Sequence, residues 1–201
     1  VVDKPFTITV SEADELIRLA HQRGLILAIF QNRRYDSDFL TVKKILESGV
    51  LGRVVSFESR FDRFRNELRP NTWKENAAPG SGALYDLGSH LIDQSIVLFG
   101  LPDAIYADLG TQRANASIVD YFNLNLHYEG LQVSLKASML VKAQLPRFAV
   151  LGDQGGFVKY GMDPQENALK QGLLPHLTKN WGIENEENWG TLSTLIEGKD
   201  H

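Results

Sequence analysis

The 201-residue chain contains no cysteine, which excludes disulfide bonds, thiolate metal sites and a cysteine nucleophile. It also lacks any run of the roughly 18–20 uncharged apolar residues that a membrane-spanning helix requires. Neither sign of charge is in excess, because 21 Lys and Arg stand against 25 Asp and Glu, for a net charge of −4. That balance argues against general nucleic-acid binding, whose footprint is basic. These absences predict a soluble, cytoplasmic protein with no membrane or nucleic-acid partner.

What the chain does contain is typical of a globular protein. Hydrophobic residues make up 43% and charged residues 23%, enough for a sizeable core, and the length predicts one domain plus an appendage. The first residues, Val1 and Val2 running into Pro5, resemble the end of a strand more than the start of a protein. The last residues, 196–201, show no terminating element. We therefore expect a fragment of a longer chain.

Residues 3–49 show the pattern of an α/β layer. A capping-box pattern from Ser11 to Asp14 predicts a helix that ends at Gly24. The continuous apolar run 25–30 then predicts a strand buried in a parallel sheet, and a second helix is predicted over 37–48.

The pattern changes after Val55, where apolar and polar residues begin to alternate. Sequential strands joined by short turns predict an antiparallel sheet, and the helices can cover only one of its faces. A helix is predicted over 84–99 and a long irregular excursion over 162–190. The predicted fold class is α+β, a large mostly antiparallel sheet with helices on one face, preceded by a helix–strand remnant. The predicted strands lie within 55–61, 105–109, 122–128, 131–137, 148–151 and 157–160.

Three side chains on the predicted helix form the strongest chemical constellation. Asp86, His90 and Asp93 are spaced four and three residues apart, so they project from one side of a helix. A neighbouring carboxylate is expected to raise the pKa of the imidazole and give an acid/base catalyst near neutral pH. Residues at this spacing more often form an exposed ion pair on an ordinary helix, here between Asp86 and His90. A metal site is a third interpretation, although no third ligand stands at a fixed spacing.

Cationic residues follow both N-terminal apolar segments. Pro5 favours extended backbone at Lys4, so this lysine should stand at a strand end, where α/β folds place ligands. Arg33 and Arg34 directly follow the second apolar run and suggest anion or cofactor contacts, although ordinary surface charge explains them equally well. The glycine-rich turn 80–82 lacks a preceding strand and a third glycine, so it is not a dinucleotide fingerprint.

Taken together, these motifs resemble the Gfo/Idh/MocA family of NAD(P)-dependent oxidoreductases. The matching pieces are Asp3-Lys4-Pro5, Asn32-Arg33-Arg34-Tyr35, and Asp86-x-x-x-His90-x-x-Asp93 after a glycine-rich turn. The segments 161–166 and 181–184 resemble the branch that includes scyllo-inositol dehydrogenases. The resemblance implies a parent protein that transfers hydride between NAD or NADP and a secondary alcohol of a polyol or sugar. It also implies a remnant of the Rossmann domain in residues 1–35 and an incomplete substrate and oligomerisation domain in 36–201.

The resemblance further implies roles for individual residues. Lys4 would bind the reacting oxygen, His90 would be the general acid/base, and Asp86 would orient His90 or the substrate. The implied substrate contacts are Arg34, Tyr85, Asp93 and Trp73, and the implied cofactor contacts are Lys4, Pro5 and Arg33. We expect a homo-oligomer through the uncovered sheet face. Two alternatives stay open: a non-catalytic interaction module, and a metal-dependent sugar isomerase built on Asp86, His90 and Asp93.

Overall fold

The computed structural model describes every residue except 70, 71, 73, 74, 197, 198 and 201. Its N-terminal part is a small unit in which β1 (Val2–Asp3) pairs in parallel with β2 (Ile29–Phe30), and helix α1 (Val10–Gln22) connects the two strands. The helix begins with a capping box between Thr9 and Glu12, so the prediction of a box at Ser11 and Asp14 is wrong by two residues. Thr9 has extended backbone before the helix, which is the conformation that a capping residue requires.

The predicted buried strand 25–30 is also corrected by the structure. Only Ile29–Phe30 forms a strand, while Leu25 is 67% exposed and Ile26 is 94% exposed. A parallel strand is buried only when helices or further strands cover both of its faces. In the described residues β2 has β1 as its only partner, so the apolar run stays at the surface.

The rest of the chain forms one large sheet. Its strands are β3 (Val54–Arg60), β4 (Ala104–Gly110), β5 (Tyr121–Tyr128), β6 (Leu131–Ser138), β7 (Phe148–Gly152), β8 (Gly155–Lys159), β9 (Thr191–Ile196) and β10 (Lys199–Asp200). They lie in the order β10-β9-β8-β7-β3-β6-β5-β4, and only the β3–β6 pair is parallel. The predicted α+β class with a mostly antiparallel sheet is confirmed.

The β5–β6 hairpin shows how alternation builds the core. Phe122, Leu124 and Leu126 are buried on one face of β5, and polar residues such as Asn123 point to the other face. The turn contains Gly130 with φ of +71°, a conformation that glycine adopts without a Cβ clash. The apolar face therefore meets the helices, and the polar face is left uncovered by any described helix.

Two helices cover the apolar face. Helix α2 (Ser37–Glu47) buries Phe39, and α3 (Ser89–Phe99) buries Leu91 in the same core. Both helices lie where the sequence predicts them. A π-helical turn (Leu84–Gly88) leads directly into α3, and the sequence gives no sign of that extra residue in the turn. No helix among the described residues is long and apolar enough to cross a membrane.

The predicted excursion over 162–190 contains a short helix, α4 (Gln165–Lys170), and a 3₁₀ turn (Glu186–Asn188). It ends in β9, an element that the sequence did not predict. Strand β9 pairs with β8, burying Thr194 and leaving Leu195 half exposed. The alternation of polar and apolar residues in β9 does not predict which face is buried, because the polar Thr194 faces inward and the apolar Leu195 faces outward.

Candidate active site

The candidate site forms where β1, the turn after β2 and the start of α3 meet. Lys4 directly follows β1, as its strand-end prediction requires, and the Lys4–Pro5 peptide bond is cis. The Lys4 Nζ donates hydrogen bonds to the Asp86 carbonyl oxygen at 2.6 Å and to Asp86 Oδ1 at 3.2 Å. These contacts bring together residues that are 82 positions apart in the sequence.

Asp86 stands in the π-helical turn before α3. Single π turns inside helices occur frequently at functional sites, because the wider turn displaces a carbonyl from the regular hydrogen-bond ladder. Here the carbonyl and the carboxylate of the same residue both accept from Lys4. The expected exposed ion pair between Asp86 and His90 is therefore wrong, since the carboxylate pairs with a lysine from the N-terminal unit.

His90 lies in the first turn of α3 and is only 4% exposed. Its ring packs edge-on against Phe61 with 6.2 Å between ring centroids, and its Nδ1 has no hydrogen-bond partner among the described residues. Burial, together with the positive charges of Lys4 and Arg33, lowers the pKa of His90 to about 3. The charge of Asp86 acts in the expected direction and raises this pKa, but it is outweighed, so the expectation of a pKa near neutral is wrong. The imidazole is therefore neutral at physiological pH.

Asp93, one turn further along α3, is held by Arg34. Arg34 donates from Nε at 2.8 Å and from a terminal nitrogen at 2.6 Å, a bidentate pair. Such a pair fixes both side chains with charge-assisted bonds. Arg34 is 46% exposed and Asp93 is 14% exposed, so the pair lies at the rim of the site.

Arg33 is anchored on the opposite side of the same 3₁₀ turn (Asn32–Tyr35). It donates to Asp36 at 2.9 Å and to Glu166 of α4 at 2.6 Å. Hydrogen bonds from Lys170 and then from Arg33 lower the pKa of Glu166 to about 2. The Arg33 guanidinium therefore joins the C-terminal excursion to the N-terminal unit.

The remaining predicted residues are placed differently. The Tyr85 hydroxyl donates a long hydrogen bond, 3.4 Å, to the carbonyl of Ile8, so it contacts the N-terminal unit. Trp73 lies outside the described residues. The structure thus brings Lys4, Asp86 and His90 together and sets Arg34 and Asp93 beside them.

A buried polar network behind His90 was not predicted from the sequence. Arg147 stacks over Phe61 at 3.8 Å, pairs with Asp38 at 3.2 Å and donates to Gln94 at 3.1 Å. Gln94 in turn donates to the backbone carbonyl of Arg33 at 2.9 Å. Burial lowers the pKa of Arg147 to about 10. This network ties the rear of the site to the sheet, and the only sequence sign of it is an arginine at the start of an apolar strand.

The described residues contain no group of three or more His, Asp and Glu side chains able to hold a metal ion. Within the predicted trio, Asp86 is bound to Lys4 and Asp93 to Arg34, so both carboxylates already face cations.

Sequence comparison gives relatives over the whole chain. The chain is 49% identical over 201 residues to YdgJ of Escherichia coli, an uncharacterised oxidoreductase. It is 42% identical over 200 residues to IolW of Bacillus subtilis, a scyllo-inositol 2-dehydrogenase (NADP(+)). These matches cover 100% of this chain but 56% and 55% of those proteins, so the chain spans about half the length of these curated relatives.

Structure comparison agrees with the sequence comparison. The solved structure of the yvaA protein from Bacillus subtilis superposes with a TM-score of 0.94 at 40% identity, covering 99% of this chain and 56% of that one. An oxidoreductase from Bacillus cereus gives a TM-score of 0.90 at 37% identity, covering 100% of this chain and 66% of that one. Residues 39–158, which include both helices over the core and most of the sheet, match the GFO/IDH/MocA C-terminal domain. This chain therefore belongs to the GFO/IDH/MocA family of oxidoreductases.

Proposed function

We propose that this chain supplies the substrate site of a nicotinamide-dependent dehydrogenase acting on a secondary alcohol of a sugar, inositol or related polyol. The observation that carries the proposal is the meeting of Lys4, Asp86 and His90, which places a cation and a neutral imidazole at the end of β1. Both groups assist the oxidation of an alcohol, since the imidazole can accept the proton that the oxygen loses and the cation can stabilise the negative charge on that oxygen. The relative IolW, a scyllo-inositol 2-dehydrogenase (NADP(+)), supports this substrate class.

Lys4 would bind the reacting oxygen and stabilise its negative charge as the proton leaves. Its two hydrogen bonds to Asp86 hold the ammonium group in place, so little reorganisation is needed when substrate arrives. Asp86 is thus a positioning residue for Lys4.

His90 would accept the proton of the hydroxyl in one direction and return it in the other. Only a neutral imidazole can accept a proton, and the low pKa of His90 keeps it in that form. The charge of Lys4 helps to lower the pKa of His90. The same charge would also lower the pKa of a substrate hydroxyl bound beside it. The difference between the two pKa values therefore does not grow, and the proton can still pass from the hydroxyl to the imidazole. The bidentate pair of Arg34 with Asp93 would form the rim of the substrate site.

The cofactor would be NAD or NADP, which accepts or donates the hydride when bound. The Lys4 ammonium at the end of β1 suits an anionic nucleotide, because it is a cation that is only 15% exposed. Lys4 and Pro5 are the residues of this chain that would contact it. Arg33 would act mainly through its pairs with Asp36 and Glu166. We further propose that residues 1–35 belong to the cofactor domain and 36–201 to the substrate domain.

Turnover tests the proposal directly. The whole gene product that contains this chain should reduce NAD or NADP in the presence of at least one member of a panel of inositols, aldoses and alditols. Replacing His90 by Asn or Lys4 by Met should lower kcat/KM by roughly 10²–10⁴-fold. His127→Asn is the matched control, because His127 is exposed on β5 and should have no effect. Full activity of the His90 variant from pH 6 to pH 9 would remove this residue from the mechanism.

Self-association through the uncovered sheet face is a second proposal. That face carries Tyr106, which is 62% exposed and lies on the edge strand β4, and the ion pairs of Glu58 with Lys136 and Arg60 on β3 and β6. A sheet face with an exposed aromatic residue and complementary charges is suited to a second copy of itself. Light scattering at micromolar concentration should give a dimer or larger species, and Tyr106→Glu should shift it toward monomer. A wild-type monomer at these concentrations would refute the proposal.

A further inference from the structure

The chain continues in an extended path after β3, and this path builds one wall of a cavity beside the site. The backbone amides of Phe61, Arg63 and Arg65 donate successively to carbonyls of β6 and of the residue after it. Alternate residues of an extended strand point to the same side. Because the Phe61 ring faces His90, Arg63 and Arg65 project toward the same side of the sheet.

The cavity is formed between these arginines and the start of the α3 region. Its lining includes Arg63, Arg65 and Asp86, and its volume is about 60 Å³. Gly82 allows the two walls to approach, since its φ is +87° and a Cβ there would lie 2.8 Å from the carbonyl oxygen of Val119. Because Asp86 is part of the lining, the cavity lies beside the carboxylate that accepts a hydrogen bond from Lys4.

The acidic side chains in this cavity are already neutralised by other cations. Arg113, which is 2% exposed, donates to Asp120 at 2.8 Å and to Glu75 at 3.1 and 2.7 Å. Asp86 accepts from Lys4.

Arg63 and Arg65 are left without such a partner. Neither guanidinium makes a hydrogen bond or an ion pair within the part of the chain that the structure describes. Burial and then the nearby charge of Arg65 lower the pKa of Arg63, and the charges of Asp86 and Glu166 offset only part of this shift. A partly desolvated guanidinium that has no hydrogen-bonded counter-ion is costly, and an arriving anion reduces that cost.

We propose that Arg63 and Arg65 form an anion subsite that binds a carboxylate or phosphate group carried by the substrate at some distance from its reacting carbon. A guanidinium presents parallel donors that match either oxyanion in bidentate geometry. This inference rests on the proposed function and deepens it: the preferred substrate is an acidic sugar or a phosphorylated one, and a neutral polyol binds more weakly.

Calorimetry on the whole gene product tests the subsite with three probes of one ring type: D-glucose, D-glucuronate and D-glucose 6-phosphate. At low salt, at least one anionic probe should bind at least tenfold more tightly than glucose. The probe with the larger gain in affinity shows whether the subsite prefers a carboxylate or a phosphate group. Arg63→Gln and Arg65→Gln should each weaken binding of that anion by about 10- to 100-fold, because a charge-assisted hydrogen bond is lost. The affinity for glucose should stay unchanged.

Two further variants keep the result interpretable. Arg53→Gln removes the same charge from an exposed residue at the other end of β3, and it should leave anion binding unchanged. Arg63→Lys keeps the positive charge but loses the paired donors of the guanidinium, so it should reduce the affinity for the anion less than Arg63→Gln does. It also tests the subsite if Arg63→Gln does not fold. Equal affinity for glucose and both anions, or an Arg63→Gln protein that binds the anion as wild type does, would overturn the inference.

The two proposals fail in different ways. A protein that binds the acidic probe selectively but oxidises no alcohol contradicts the proposed function alone. A protein that oxidises neutral polyols and gains nothing from an acidic group contradicts the anion subsite alone.

Discussion

The N-terminal unit and the sheet domain differ in how they are held together. Helix α1 buries none of its residues, and Ile26 after it is 94% exposed. In the sheet domain Phe57, Phe122 and Leu135 are fully buried in one contiguous core. The region that contains Lys4 therefore buries few of its own side chains, whereas the region that contains His90 holds the hydrophobic core.

Many of the contacts between the two regions, among the residues that the structure describes, are polar. They include the Lys4–Asp86 bonds, the Tyr85–Ile8 hydrogen bond, the Arg34–Asp93 pair and the pair of Arg33 with Glu166. Ile8 also packs over Gly80, where a Cβ would lie 2.9 Å from the isoleucine side chain. Since local stability follows buried apolar contacts, the two regions should open independently.

Truncation of a core residue should give the largest difference between the regions. Phe57 packs against Phe99 at 5.2 Å and Phe148 at 5.9 Å, and Phe57→Ala should lower the free energy of unfolding by about 3–5 kcal/mol. Ile17→Ala on α1 should change it by less than about 0.5 kcal/mol, because that side chain is half exposed. Urea unfolding followed by circular dichroism measures both, and equal losses would mean that α1 packs on the core.

The buried His90 should make the free energy of unfolding depend on pH. The unfolded chain protonates His90 below pH 6.5, and the folded protein only near pH 3, so stability rises with pH between those limits. The total change is on the order of 3–5 kcal/mol. Asp36 opposes it over part of the range, because burial raises the pKa of its carboxyl to about 6 and its protonated form is favoured when folded.

Comparing variants separates these two groups. His90→Gln should flatten the rise in stability between pH 4 and pH 6.5, measured by urea unfolding at each pH. His21→Gln on exposed α1 should leave the curve of the wild type unchanged. A wild-type curve in the His90 variant would mean that His90 is protonated in the folded state.

Elements set by neighbouring residues could be predicted from the sequence, and those set by distant ones could not. Helix α2 and the β5–β6 hairpin follow from periodicity and from Gly130 in the turn, all of which are local signals. The pairing of Arg147 with Asp38 joins two parts of the chain with no shared pattern. The π turn likewise could not be predicted from its own residues, and the residue that contacts its Asp86, Lys4, lies 82 positions away in the sequence.

The site shows the same division. The spacing of Asp86 and His90 was readable, but the pKa of His90 depends on burial and on cations from other elements, so its direction was mispredicted. The exposed run 25–30 has the composition of a buried strand, and composition alone does not state which layers are present to bury it.

Removing the Lys4 ammonium should weaken the junction of the two regions by about 1.5–3 kcal/mol, the range for hydrogen bonds to a charged group. Lys4→Met removes the ammonium group and keeps an unbranched side chain that is one atom shorter. Amide hydrogen exchange at Val2, which donates to Ala28, should accelerate roughly tenfold or more, while amides of β5 and β6 keep their protection. Lys43→Met, which removes an exposed lysine paired with Glu47, is the control. Equal acceleration in both variants would mean that the Lys4 contacts do not hold the junction.

The smallest expected effect concerns the start of α1. Thr9 accepts a hydrogen bond from the backbone amide of Glu12, so Thr9→Ala should cost the helix about 1 kcal/mol and accelerate exchange of the α1 amides about fivefold. Because α1 buries no residue, the urea midpoint of the sheet domain should not move. Ser11→Ala removes the hydroxyl that the sequence pattern favours as the cap, and it should leave exchange in α1 unchanged. If the Ser11 variant frays the helix and the Thr9 variant does not, the helix begins two residues later than the structure shows.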